Sequence, residues 1–242
     1  MNYQRDELSM TVHFNVEKTN FKNCTLLTGF HGVGEVGYIS ISYLVGALKA
    51  ERIGFIEVDN PPPFINTGDG GIVTPFEIYK SKKFVLVKLE FSPQRTEESE
   101  FIRSLARWTV KEKFKDAILI GGLDSSFKTG KDNCRIVPTR SYLDELKSFK
   151  VPILENSLLV FGPLAMILSE FEISDFPALA ILPYASALTP DPGAAAAAIR
   201  EISRVYNLKV NVSELEKDAE NIEAEIEQKL ERAQKSLQNM YV

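Results

Sequence analysis

Between Asn23 and Val58 the chain reads strand, glycine-rich turn, helix, strand, and no other stretch restricts the possible folds as strongly. "NCTLLTGF" (Asn23–Phe30) is a short apolar run, which marks a buried strand. "YISISYLVGALKA" (Tyr38–Ala50) carries apolar residues at helical spacing, and "RIGFIEV" (Arg52–Val58) returns to strand character. A β-α-β unit of this kind predicts neighbouring parallel strands with a helix across one face.

The alternation continues. "MTVHFNV" before the unit has the pattern of an edge strand. "DNPPPFINTGDGG" (Asp59–Gly71) must be loop, because three prolines remove backbone donors and the glycines break order. "IVTPFEIYK" and "KFVLVKLEF" flank a short polar turn and predict a hairpin. Thr96–Phe114 opens with a capping threonine and early acids and predicts a helix. "DAILIGGL" (Asp116–Leu123) is a buried strand, "GPLAMILSEFEI" a helix from near Pro163, and "PALAILPYA" a further strand. Asp191–Leu208 is a helix whose alanine run permits close packing. The expected fold class is therefore α/β: a layered sandwich with a mostly parallel central sheet plus one antiparallel hairpin. With 242 residues, 44% of them hydrophobic, the chain can bury a core without metals or disulfides.

The last segment differs from the rest. Ser213 with Glu216 three residues on reads as a capping box. Leu215, Ala219, Ile222, Ile226, Leu230, Ala233 and Leu237 then follow at steps of 4, 3, 4, 4, 3 and 4. This eleven-residue repeat lies close to the natural helix pitch and predicts a straight or slightly right-handed seam. The helix would be about 40 Å long at ~1.5 Å per residue. From Ser213 onward there are eight acidic and four basic residues, so the segment holds four of the five net negative charges. Its narrow apolar stripe either lies against its own domain or meets copies of itself in an oligomer. The organisation expected is a core domain over 1–208 and a C-terminal helix and tail over 209–242.

"GVGEVG" (Gly32–Gly37) fits G-x-G-x-x-G after a strand and before a helix, with Glu57 twenty residues beyond Gly37. Those are the parts of a dinucleotide fingerprint: glycines for close approach, a helix N-terminus for pyrophosphate, a carboxylate for a ribose. Phe30 and His31 are bulky where a phosphate loop wants small residues, and a proline-rich loop follows Glu57 directly. The plainer reading is that the glycines allow a sharp turn and tight helix–sheet packing. "GGLDSS" (Gly121–Ser126) ends a strand with small polar residues, yet Asp124 and Ser125 have no base beside them in the sequence. The two histidines, His13 and His31, leave few options for a metal site or triad, and no Walker, G-x-S-x-G or H-E-x-x-H motif occurs. Cys24 and Cys134 lie far apart and read as packed thiols of a reduced compartment. No apolar run approaches the ~18 residues of a membrane span, and no leader opens the chain, so a cytoplasmic protein is expected. The net charge of −5 argues against nucleic acid or an anionic membrane as main partner.

The whole pattern resembles a known family. "GFHGVGEVGYISISYLVGALKAERIGFI", "PPPFINTGDGGIVTPFEIYKSKKFVLVKLEFSP", "DAILIGGL" and "LTPDPGAAAAAIREISRVYNLKVNVSELEKDAENIEAEIEQ" follow in the order seen in the proteasome assembly chaperone (PAC) family and its archaeal homologues. The resemblance implies an α/β sandwich that works by protein contact, with no enzymatic activity, cofactor or metal. It implies that Gly32, Gly34 and Gly37 are scaffold and that Glu57 has no ribose to bind. It also implies a partner, the proteasome core particle. A nucleotide- or nucleoside-handling enzyme using the Gly32–Gly37 turn is the alternative.

The chain ends in Met240, Tyr241 and Val242. Apolar residues at a chain end call for a pocket, on this protein or another. The triplet has the hydrophobic-Tyr-any form by which proteasome activators and some assembly chaperones dock between α-type subunits of the core particle. The chemistry is readable: an aromatic body with a hydroxyl for the rim, a terminal carboxylate for a lysine, and an adaptable thioether. Each tail binds weakly, so several on one homo-oligomer would gain about 10²–10⁴ through avidity.

Overall fold

A computed structural model describes residues 11–68 and 71–225, with the backbone alone at 147 and 148. In chain order the elements are β1 (Val12–Val16), β2 (Thr25–Gly29), α1 (Val36–Ala47), β3 (Glu51–Val58), β4 (Asn66–Gly68), β5 (Gly71–Val73), β6 (Phe76–Ser81) and β7 (Phe84–Leu89). There follow α2 (Glu98–Lys111), β8 (Asp116–Ile120), β9 (Leu123–Asp124), β10 (Cys134–Pro138), α3 (Pro163–Ile173), β11 (Ala178–Ala185) and α4 (Pro192–Tyr206). Residues 213–225 are helical and are called α5.

Among the described residues one mixed sheet runs in the order β1-β3-β6-β7-β2-β8-β11-β10, with β9 continuing beside β11 and β4–β5 a separate hairpin. Its centre is parallel: β2 pairs with both β7 and β8, and β8 with β11. The flanks are antiparallel, through β6 and β3 to the edge strand β1 on one side and through β10 on the other. The fold is the α/β sandwich with a parallel centre that the sequence predicts, and "MTVHFNV" does supply the edge strand.

Alternation places successive side chains on opposite faces. In β8, Ala117 and Leu119 pack with residues of α2 and α3, whereas Ile118 and Ile120 pack with α1 and α4. Strands β2, β8 and β11 are buried along their whole length, the near-continuous apolar reading of a sheet covered on both sides. On the α2 face Trp108 stacks on Phe14 at 4.8 Å and meets Phe21 and Phe114 edge-on at 5.2 Å each. Each such side chain contributes about 1.5–3 kcal/mol by leaving water.

Four local expectations are corrected. First, β2 and β3 are parallel but not neighbours, because the β6–β7 hairpin inserts between them. Burial explains this: five of the six β7 side chains are buried and the sixth is half-buried, so β7 needs a central place. Strand β3, with exposed residues at Glu51, Arg52 and Glu57, can lie outside it. Second, Thr96 does not cap α2. The helix starts at Glu98, and the Glu97 carboxylate accepts instead from Asn60 Nδ2 at 2.5 Å. Third, Ser213 and Glu216 form no capping box. Asn211 Oδ1 accepts from Ser213 N at 3.0 Å, and Glu216 pairs with Arg200. Fourth, the strand expected over Asp116–Leu123 breaks at Gly121 and Gly122 into β8 and β9. Strand β10 has no counterpart among the sequence expectations, and the segment expected to be loop carries β4 at Asn66–Gly68, paired with β5. Among the described residues no helix is long and apolar enough to cross a membrane.

Candidate functional site: the carboxyl end of the sheet

The parallel strands β2, β7, β8 and β11 end at one pole of the molecule, and the loops there carry the conspicuous motifs. The Gly-rich turn after β2 is held by backbone contacts. A Cβ on Gly37, in the first turn of α1, would lie 2.6 Å from Ile120 O and from the backbone N and O of Phe30. A Cβ on Gly29 would meet Gly37 Cα at the same distance. Gly34 has φ +62°, and a Cβ there would meet Ala185 Cβ at 2.8 Å. These glycines let the start of α1 press onto the ends of β2, β8 and β11.

That packing leaves the dinucleotide fingerprint incomplete. Glu57 is exposed on β3 and paired in register with His13. Two strands separate β3 from β2, so the carboxylate stands on the order of 14 Å from the turn at ~4.8 Å per strand. At the start of α1 the Glu35 carboxylate sits 2.5 Å from His31 Nδ1, a negative group where a phosphate would have to enter.

Beside the turn lies an apolar cleft of about 600 Å³. Its walls come from the ends of three parallel elements: Phe30 after β2, Gly121 and Leu123 after β8, and Leu182 on β11. Leu159 and Phe161, 81% and 75% exposed, stand on the segment before α3, and Phe127 also lines the cleft. Neither lysine nor arginine lines it. Asp124 does, and hydrogen bonding from Ser126, the backbone amide first, holds its carboxyl below the usual carboxylate range. The cleft therefore suits apolar groups and repels anions. Among the described residues no cluster of three or more His, Cys, Asp or Glu could hold a metal ion. Burial raises the pKa of the Cys134 thiol to about 12, so it stays protonated and unreactive.

Asp191 ties this pole together. Its carboxylate accepts from Ala194 N at 2.8 Å, capping α4, and from Ser186 N at 3.0 Å, while its own amide donates to Gly34 O at 2.8 Å. Sequence reasoning placed Asp191 at a helix start but missed its hold on the Gly-rich turn. Asp191→Ala should lower stability by about 2 kcal/mol, the upper end for a lost N-cap, because a second amide is orphaned too. Urea unfolding measures it, and a loss under about 0.5 kcal/mol contradicts this role.

α5 runs toward the same pole. Tyr43 hydroxyl donates to Asn211 O at 2.6 Å, Arg200 pairs with Glu216, and a Cβ on Gly193 would meet Ala219 Cβ at 3.4 Å. Successive contacts thus climb α5 while descending in number along α4, so the two helices are antiparallel. Residue 225 is about 9 Å of helix rise beyond Ala219. Of the predicted seam, Leu215 is buried in the core layer of α1 and α4, and Ala219 and Ile222 are half-buried. Ile226, Leu230, Ala233, Leu237 and the tail residues Met240, Tyr241 and Val242 lie outside the described residues.

Comparison with known proteins agrees with this architecture. The PAC2 family profile matches residues 26–230. An uncharacterised protein of Methanocaldococcus jannaschii is 26% identical over 223 residues, covering 89% of each chain. The fold is similar to Pyrococcus furiosus PbaA, an archaeal homologue of proteasome-assembly chaperone, with TM-score 0.77, 22% identity and 95% of each chain covered. It is also similar to Pyrococcus furiosus PbaB, an archaeal proteasome activator, with TM-score 0.76, 16% identity, and 92% of this chain and 99% of that one covered. With the family's profile spanning both the glycine-rich turn and the start of the C-terminal helix, the chain belongs to the PAC2 family.

Proposed function

We propose that this protein is a non-enzymatic, ATP-independent partner of a proteasome core particle, acting as an assembly chaperone or as a gate-opening activator. The observation that carries the reading is PAC2 membership over 26–230, in a chain ending Met240-Tyr241-Val242. The folds of a proteasome-assembly chaperone homologue and of a proteasome activator support it. In this reading Tyr241 inserts between α-type subunits, and the Val242 carboxylate meets a lysine there. The stripe beyond Ile222 brings copies together so that several tails engage at once. Gly34 and Gly37 are scaffold.

The test is a peptidase assay and a binding measurement with the core particle, comparing the intact chain with one lacking Met240–Val242. Loss of the tail should weaken binding at least tenfold, about 1.4 kcal/mol, and abolish any stimulation. Unchanged binding overturns the docking role. If intact protein binds but stimulates nothing, the assembly role is favoured over activation.

A further inference from the structure

The opposite pole, where the parallel strands begin, carries a different surface. Four connections meet there: 17–24 before β2, 48–51 into β3, 80–83 between β6 and β7, and 111–116 into β8. Hydrogen bonds set them side by side. Lys115 N donates to Cys24 O and Thr25 N to Lys83 O, each at 2.8 Å, and Ser81 Oγ donates to Leu48 O at 2.8 Å. Together the four hold nine lysines and four carboxylates, so they are net positive in a chain of net charge −5. Among the described residues the lysines with an ion pair are Lys88 and Lys115, which leaves Lys22, Lys49, Lys82 and Lys113 exposed and unpaired. The backbone adds a second observation. Lys49, Lys82 and Lys113 stand at φ +48°, +53° and +60°, in the left-handed region where glycine is the easier residue. Among the described residues no other lysine has a positive φ. Three turns at one pole thus accept the same unfavourable conformation, and each fills it with an exposed positive charge.

We propose that this pole is a docking surface for an extended acidic polypeptide segment of a partner protein. The connections follow the strand order β3-β6-β7-β2-β8, so the lysines form a row roughly 19 Å long at ~4.8 Å per strand. An extended chain covers that length with about six residues at ~3.3 Å each. Of the four carboxylates, Asp116 is buried beside Lys115 at 3.4 Å and Glu112 is half-buried, which leaves Glu17 and Glu51 exposed against the row. Lysine is a compact charge on a flexible stem and can follow carboxylates at varied positions, whereas phosphate recognition favours the arginine fork. Arg52, the next residue along β3, is already paired with Glu77 at 3.0 Å. None of the exposed large apolar side chains lies in the four connections, so the pole offers no platform for stacking bases and no wedge for a membrane. The proposal goes beyond tail docking and does not depend on it.

The probe is a fluorescein-labelled peptide of six glutamates, titrated with the full-length chain and followed by anisotropy. The comparison ligand is a labelled oligothymidine with six phosphates. The peptide should bind at least tenfold more tightly than the oligothymidine, and its affinity should fall as salt rises, as exposed charge pairs require. Combining Lys49→Gly, Lys82→Gly and Lys113→Gly removes three charges and relaxes three left-handed positions. That variant should lose at least tenfold in affinity while its urea midpoint does not fall, so lost binding is not lost folding. Arg95→Gln, Lys128→Gln and Lys131→Gln together are the control. All three residues are exposed in connections at the other pole, and the change takes the net charge from −5 to −8 as the glycine variant does. The control should keep the wild-type affinity. No binding of the peptide, wild-type affinity in the glycine variant, or an equal loss in the control overturns the proposal. Tighter binding of the oligothymidine also overturns it and assigns the pole to nucleic acid. Removing Met240–Val242 should abolish core-particle binding while leaving peptide affinity unchanged, so the two readings fail separately.

Discussion

Gly37→Ala is expected to destabilise the protein by about 3 kcal/mol, and Gly37→Leu to prevent folding. In most helices an alanine replacing glycine is favourable by up to ~1 kcal/mol. Here the added methyl would stand 2.6 Å from three backbone atoms, Ile120 O and the N and O of Phe30, and none of them can swing aside as a side chain end could. Relief requires lifting the first turn of α1 from the sheet. That separates Gly29 from Gly37 and strips cover from Val36 and Ile41, both buried. Gly46 provides the control within the same helix. It has nothing within 4 Å of its missing Cβ, so Gly46→Ala should raise stability by about 0.5–1 kcal/mol. Urea midpoints of the two variants should therefore move in opposite directions. If Gly37→Ala also stabilises, the glycines of this turn are not packing devices, and the ligand-cradle reading of the motif returns.

The glycine-rich turn shows what a sequence can and cannot specify. Its strand–turn–helix context was legible because glycine spacing and helical periodicity are local signals. What the glycines press against was not, since Ile120 and Ala185 are remote in sequence and come near only through the sheet order. The same limit explains β3. Its strand character was plain, but the insertion of β6–β7 beside β2 depends on how deeply β7 is buried, a tertiary property. Thr96 and Ser213 each have capping chemistry at a plausible place, yet α2 has no side-chain cap and the Ser213 amide donates to Asn211. Short polar side chains compete for caps, and the winner is set by which loop packs nearby. Of the apolar stripe read in the last segment, Leu215 belongs to the core of its own chain.

Glu90→Ala should cost about 3 kcal/mol, because it strips the counter-charge from a mostly buried lysine. Glu90 is 6% exposed just past β7, and Lys88 Nζ lies 2.5 Å from its Oε2. Tyr38 hydroxyl donates to Oε1 at 3.0 Å and Asn66 Nδ2 at 2.8 Å, so one carboxylate joins α1, β7 and β4–β5. Burial pushes the Glu90 pKa up, but hydrogen bonds from Lys88 and Asn66, the Lys88 charge, and the Tyr38 hydroxyl together hold it below the usual carboxylate range. The sign of the pH dependence follows. A depressed folded-state pKa contributes stability that is complete above the unfolded value of about 4.3 and is lost as pH falls through the folded value. The gap between wild type and Glu90→Ala should accordingly be widest at neutral pH and narrow in acid. Lys88→Met combined with Glu90→Leu should recover most of the loss, since replacing both charges leaves neither stranded. Because Asn66 loses its acceptor in either variant, the hairpin bearing Phe64, Ile65 and Ile72 should exchange its amide protons faster even when global stability is restored. That result would separate two roles of Glu90, neutralising Lys88 and positioning the apolar hairpin. Equal exchange in wild type and the double variant would leave only the first.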